Sequence, residues 1–147
     1  MAIDFKTLLN VLPHVTDANH PVLLRGRHGI GKSSVVYQFA ETAGLKVVER
    51  RASQMTEGDL LGLPKTDGDV TSFCPPDWFA EACSTGVLLF LDEVDRATLE
   101  VRQGIFELCD SRKLAGYHLH PETLIFAAVN GGTHAGAASY QVGEMDP

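Results

Sequence analysis

The chain is short of cysteine and of positive charge, and each shortage narrows what it can be. Its 147 residues hold three cysteines, Cys74, Cys83 and Cys109. An odd number at wide spacing fits neither a disulfide framework nor a C-x-x-C metal site. The thiols read as small core or surface residues of a reducing compartment. Lys and Arg number 12 against 19 Asp and Glu, a formal charge of −7. Nucleic acid binding depends on Lys and Arg neutralising phosphates, and no basic run is longer than Arg50-Arg51. The balance disfavours nucleic acid and favours a protein partner. No apolar run approaches the ~20 residues that span a bilayer, and Met1-Ala2-Ile3-Asp4-Phe5-Lys6 does not begin a secretory signal. The expectation is no membrane and a cytoplasmic location. Internal repeats, low-complexity tracts and interdomain linkers are also missing. What remains is one domain, long enough to bury a core, with an apolar fraction of 44% that is ordinary for a globular protein.

What is present is more specific. Gly26-Arg27-His28-Gly29-Ile30-Gly31-Lys32-Ser33 reads G-x-x-x-x-G-K-S without a mismatch. The apolar run Pro21-Val22-Leu23-Leu24 before it suits a buried strand, and Ser34 to Ala43 reads as a helix after it. Glycines let the backbone turn with its N–H groups inward and remove side chains that would block a phosphate. Lys32 then supplies a mobile charge for β- and γ-phosphates, Ser33 a hydroxyl for Mg²⁺, and the helix N-terminus, with Ser34 in its first turn, a partial positive charge. Read without a ligand, the same stretch is a Gly-rich strand-to-helix turn.

Downstream, Val87-Leu88-Leu89-Phe90-Leu91 ends in Asp92-Glu93. A run apolar on both faces suits a central parallel strand, and its C-terminal end is where open α/β sheets bind ligands. Asp92 is placed to hold Mg²⁺, and Glu93 to polarise an attacking water as general base. A third strand candidate, Leu124 to Val129, ends at Asn130. Its amide could sit between the two motifs and orient water, while Asn130-Gly131-Gly132 is equally readable as a turn.

Around these motifs strand alternates with helix, which predicts a parallel sheet covered on both faces. Ile3 to Val15 has helical spacing, with Asp4 as N-cap, and Pro13 and then Asn19-His20-Pro21 close the segment. Val35, Val36, Phe39 and Ala40 form an apolar stripe that Gly44 stops. Leu45 to Arg50 reads as a strand, Thr66-Asp67-Gly68-Asp69 as a hairpin turn, and Asp77 to Ser84 as a short helix. Leu99 to Cys109 reads as a helix with Leu99, Ile105, Phe106 and Cys109 inward. His118 and His120 flank Leu119, lack neighbours of ligand type and read as exposed hairpin residues. His28 reads as facing solvent or a neighbouring subunit. Arg27, Arg96, Arg102 and Arg112 could each face a neighbour's nucleotide, Arg96 first because it follows Asp92-Glu93; each also reads as a solvated surface arginine.

Together these residues resemble the core of an AAA+ ATPase, and within it the MoxR branch, from about Leu8 to Pro147. Leu91-Asp92-Glu93-Val94-Asp95-Arg96-Ala97 resembles that branch's L-D-E-[IV]-N-R-A segment, with Asp95 for Asn. Asp59-Leu60-Leu61-Gly62 resembles its D-L-L-G element, Asn130 falls on the sensor-1 position, and Tyr140 to Pro147 looks like the stretch before its A-x-x-D-R-F segment. The resemblance implies a three-layer P-loop α/β fold with a central parallel sheet. It also implies ATP and Mg²⁺ as cofactors, a homo-oligomeric ring (a hexamer) and a protein client or adaptor. Residues 1–147 then read as the core domain, truncated before the arginine-finger segment and the helical lid, and weakly active alone. The implied activity is ATP hydrolysis by a chaperone-like remodelling or assembly module. An ATP-gated binding module with little turnover is the second reading. A phosphotransferase is the third, disfavoured because Asp92-Glu93 suits water activation.

Overall fold

Val87–Asp92 is buried at every position but its last, and alternation along it divides the core in two. Leu88 and Phe90 pack into one cluster with Leu8, Leu12, Val36 and Phe39, while Val87, Leu89 and Leu91 pack into another with Trp78, Phe79, Val101 and Ile105. Successive side chains of a strand point to opposite faces, so a run apolar throughout requires cover on both sides. Across the first cluster the Phe39 and Phe126 rings stack at 5.5 Å.

The structure, a computed structural model, describes residues 2–3, 5–17, 20–27, 31–131 and 140–141. In chain order the elements are β1 (Ala2–Ile3), α1 (Phe5–Asp17), β2 (Val22–Arg25), α2 (Lys32–Ala43), β3 (Lys46–Arg51), a 3₁₀ turn (Ala52–Gln54), α3 (Glu57–Leu61), β4 (Leu63–Asp67), β5 (Val70–Cys74) and α4 (Asp77–Ser84). They continue with β6 (Val87–Asp92), a 3₁₀ turn (Val94–Arg96), α5 (Leu99–Ser111), β7 (Lys113–Leu114), β8 (Tyr117–His118), β9 (Leu124–Val129) and β10 (Tyr140–Gln141). The main sheet runs β1-β10-β2-β9-β6-β3, with β2, β9, β6 and β3 parallel and β10 antiparallel to both β1 and β2. Helices α1 and α2 contribute to one core cluster and α3, α4 and α5 to the other, the three-layer α/β arrangement that the alternation of elements predicts. No helix among the described residues is long and apolar enough to cross a membrane.

Two expectations fail for packing reasons. Pro13 does not close α1, which runs on to Asp17 and ends just ahead of the Asn19-His20-Pro21 stretch that is the second stop signal. A proline inside a helix removes one hydrogen bond and crowds the preceding turn, but Leu8 and Leu12 are fully buried on one side and Val15 packs on the same cluster beyond it. Leu99 is not an inward residue of α5; it is 56% exposed. The buried positions are Val101, Ile105, Leu108 and Cys109, an i, i+4, i+7, i+8 stripe. Asp4 and the region from 142 to 147 lie outside the described residues.

Local punctuation is as the residues dictate. Gly44 ends α2 in the left-handed region, its N–H donating to the Ala40 and Glu41 carbonyls. β4 and β5 pair as a hairpin around Gly68-Asp69. Cys74 is exposed on that hairpin, Cys83 is half-buried, and Cys109 is buried so that its thiol is pushed up to about 12.

Candidate functional site

Three parallel strands end side by side, and each delivers polar groups to the same place. β9 lies between β2 and β6. The tip of β2 therefore leads into Gly26, the tip of β9 into Asn130, and the tip of β6 is Asp92 followed by Glu93. The Gly26 N–H donates to the Val129 carbonyl at 3.2 Å, tying the start of the glycine-rich loop to β9. At its other end Gly31 precedes α2 with φ +86°, a conformation that glycine adopts at little cost. His28, Gly29 and Ile30 lie outside the described residues. Arg27 is exposed, as are Ser33 and Ser34 in the first turn of α2, where helix N–H groups have no partner inside the helix.

Lys32 joins the tips of β2 and β9. Its side chain is buried, and Nζ donates to the Gly26 carbonyl at 2.6 Å, the Arg27 carbonyl at 3.3 Å and Asn130 Oδ1 at 2.8 Å. An ammonium has three donors, so all are engaged. Burial holds the Lys32 pKa below its ordinary value, and Asp92, Asp95 and Glu93 pull against that shift in that order. The cation is thus poised between the backbone of its own loop and an acidic wall.

Asp92 and Glu93 differ in environment. Asp92 is half-buried, and its Oδ1 accepts the Glu93 N–H at 2.8 Å. Burial is the largest influence on its carboxyl and pushes the pKa above the usual carboxylate range. A carboxyl raised on folding contributes stability that is full below its unfolded pKa and lost as pH rises through the folded value. At neutral pH the ionised Asp92 therefore opposes folding. Asp92→Asn is expected to raise the unfolding temperature of the nucleotide-free protein at pH 7, with the gain shrinking as pH falls toward the carboxylate range, and to raise the Mg²⁺ needed for nucleotide binding. A lower unfolding temperature at pH 7 would show that attraction to Lys32 outweighs desolvation.

Glu93 sits at φ 55°, ψ 40°, the left-handed region. A side chain there costs roughly 1–2 kcal/mol, and such outliers concentrate at functional sites. Its Oε2 accepts a hydrogen bond from the Ser53 hydroxyl. Ser53 was not legible as a site residue. Its 3₁₀ turn follows β3, and β3 pairs with β6 so that Arg51 lies opposite Asp92; only knowledge of that pairing brings Ser53 to Glu93. Asp95 likewise joins the site only through the fold: its Oδ2 accepts the Asn130 N–H at 3.3 Å.

The other candidates separate by what they touch. Arg112 is committed to the fold, donating to the His120 and Thr123 carbonyls at 2.9 and 2.7 Å, so it is not a surface arginine facing a neighbour's nucleotide. Arg96 is exposed and Arg102 half-buried. His118 is exposed on β8, whereas His120 is half-buried and its Nδ1 accepts the Glu122 N–H.

Comparison with known proteins follows this geometry. Residues 21–131 match the family model described as "AAA domain (dynein-related subfamily)". The chain is 36% identical over 97 residues to Midasin of Giardia intestinalis, covering 63% of this chain, and 30% identical over 123 residues to Midasin of Dictyostelium discoideum, covering 74%. It spans only 2% of the length of either relative. Among solved structures, NtrX from Brucella abortus in complex with ADP superposes with a TM-score of 0.61 at 20% identity, over 86% of this chain and 29% of that one. The Holliday junction branch migration motor RuvB of Thermotoga maritima superposes at 0.56 and 19% identity, over 86% and 38%. At such identities the superpositions show a shared fold. The match over 21–131 goes further, and the chain belongs to the AAA family, in its dynein-related subfamily.

Proposed function

We propose that residues 1–147 form a core domain that binds ATP with Mg²⁺ and hydrolyses it. In this proposal it is a MoxR-like AAA+ module, working in a homo-oligomeric ring, a hexamer, to remodel or assemble a protein client. The observation that carries the reading is Lys32 bonded at once to its own loop and to Asn130. A buried cation with exchangeable partners, beside exposed first-turn N–H groups, suits the terminal phosphates of a nucleotide. The Ser33 hydroxyl and the Asp92 carboxylate form a hard all-oxygen donor set that fits Mg²⁺. When bound, that ion would neutralise charge developing on the phosphate oxygens. Glu93 holds a carboxylate where a water can be polarised, and Asn130 anchors Lys32 at the tip of the middle strand. Calorimetry with Mg·ATP, together with phosphate release measured against protein concentration, tests the proposal. Absence of Mg²⁺-dependent nucleotide binding would sink it.

A second reading, nucleotide held with little turnover, draws support from the Ser53–Glu93 hydrogen bond, which engages the oxygen that would face water. Ser53→Ala is expected to raise basal turnover roughly fivefold, the rate equivalent of ~1 kcal/mol for one hydrogen bond. A fall in turnover would instead make Ser53 the group that aims Glu93.

A further inference from the structure

We propose that Asp95 is a positioning residue of the nucleotide site: it fixes the tip of β9 so that the Asn130 amide stays on Lys32. In its effect on turnover this rests on the hydrolysis reading above; in its geometry it does not.

The end of β9 outruns the strands beside it. Its ladder with β6 closes at the pair Leu91 and Ala127, and its ladder with β2 at Arg25 and Val129. The Gly26 N–H then takes the Val129 carbonyl at 3.2 Å, and Asn130 lies one residue past both ladders. A backbone N–H in that place needs an acceptor from elsewhere. Asp95 Oδ2 supplies it at 3.3 Å, while the Asn130 side chain accepts Lys32 Nζ at 2.8 Å. Gly131 lies under the stem of Arg25 on β2, where a Cβ would meet Arg25 Cδ at 3.0 Å. The tip of β9 is thus held by β2 on one side and by Asp95 on the other.

The chain after β6 is built to deliver that carboxylate. Glu93 turns the backbone in the left-handed region. The 3₁₀ turn that follows is closed by the Arg96 N–H on the Glu93 carbonyl at 3.0 Å and the Ala97 N–H on the Val94 carbonyl at 3.2 Å. Val94 is buried and plugs the turn into the core, which leaves Asp95 on the outside, where its carboxylate reaches the strand end. In attraction for Lys32, Asp95 stands second to Asp92 and ahead of Glu93. The proposed chemistry gives Asp92 to Mg²⁺ and Glu93 to water, so Asp95 is the one acid of the three that neither role uses. The bland role for it is charge near the start of α5, which begins at Leu99 with Thr98 as its cap. Charge and acceptor separate in the variants.

Hydrogen exchange followed by NMR on the isotope-labelled, nucleotide-free chain tests the geometry. Asp95→Ala should speed exchange at the Asn130 N–H about fivefold, the worth of one hydrogen bond, and leave the β6 amides at the parent rate. Asp95→Asn keeps an acceptor and drops the charge, so exchange at Asn130 should stay within about twofold of the parent. Single-turnover phosphate release tests the consequence. Asp95→Ala should lower that rate about fivefold, and Asp95→Asn should restore it. Adding Asp95→Ala to Asn130→Ala should slow release no further, because a residue that acts through Asn130 then has nothing to hold. Parent exchange at Asn130 in Asp95→Ala would overturn the proposal. So would equal losses in Asp95→Asn and Asp95→Ala, which would make Asp95 a charge for α5, and so would losses that multiply in the double variant. A parent chain that releases no phosphate yet shows the expected exchange pattern would sink the hydrolysis reading and leave Asp95 in place at the strand tip.

Discussion

Glu93→Gln is expected to leave Mg·ATP affinity within about twofold of the parent and to lower turnover by roughly 10²–10⁴, the range that a positioned general base contributes. The substitution keeps the shape and the acceptor toward Ser53 while removing the charge that polarises water. It also keeps the left-handed backbone at φ 55°, so a loss cannot be traced to a changed chain path. Single-turnover phosphate release alongside equilibrium nucleotide binding separates the two effects. Turnover within threefold of the parent would remove Glu93 from the chemistry. The contrast with Asp92 is informative because the two carboxylates are adjacent yet differently placed. Asp92 is pressed by burial, whereas Glu93 is held by a hydroxyl from the 3₁₀ turn that follows β3.

Lys32→Ala is expected to weaken Mg·ATP binding by roughly 10² or more, because hydrogen bonds from a charged donor are worth ~1.5–3 kcal/mol each and this ammonium has three donors to give. Lys32→Arg should not rescue it. A planar guanidinium cannot enter the slot formed by the Gly26 and Arg27 carbonyls and Asn130 as a point charge does. Calorimetry reads the affinity, and unfolding without nucleotide shows that the variants remain folded. Asn130→Ala provides the graded comparison: it removes one of three partners and should cost less than Lys32→Ala. Unchanged affinity in Lys32→Ala would make the glycine-rich stretch a simple strand-to-helix turn.

Much of this arrangement is legible residue by residue because its causes are local. The helix Asp77–Ser84, the hairpin turn at Gly68-Asp69, the strand Leu124–Val129 and the stop at Gly44 each follow from turn chemistry or hydrophobic period within a few positions. Pro13 and Leu99 mislead because their fate depends on what packs beside them. Burial of Leu8 and Leu12 carries α1 past a proline, and the α5 stripe through Val101, Ile105 and Leu108 turns Leu99 outward.

The sequence by itself determined the chemical parts: a glycine-rich loop with Lys32 and Ser33, a buried strand ending in Asp92-Glu93, and a strand ending in Asn130. Only the tertiary structure decided which parts meet. Strand order inserts β9 between β2 and β6, and this alone sets Asn130 against Lys32 across 98 residues of chain. The pairing of β3 with β6 brings Ser53 to Glu93 across 40 residues, and the pairing of β6 with β9 brings Asp95 to the Asn130 N–H across 35. Loop closure makes such contacts depend on the whole chain, and the free energy that selects one strand order comes from burying two faces of a sheet at once, a quantity that no local stretch of residues carries.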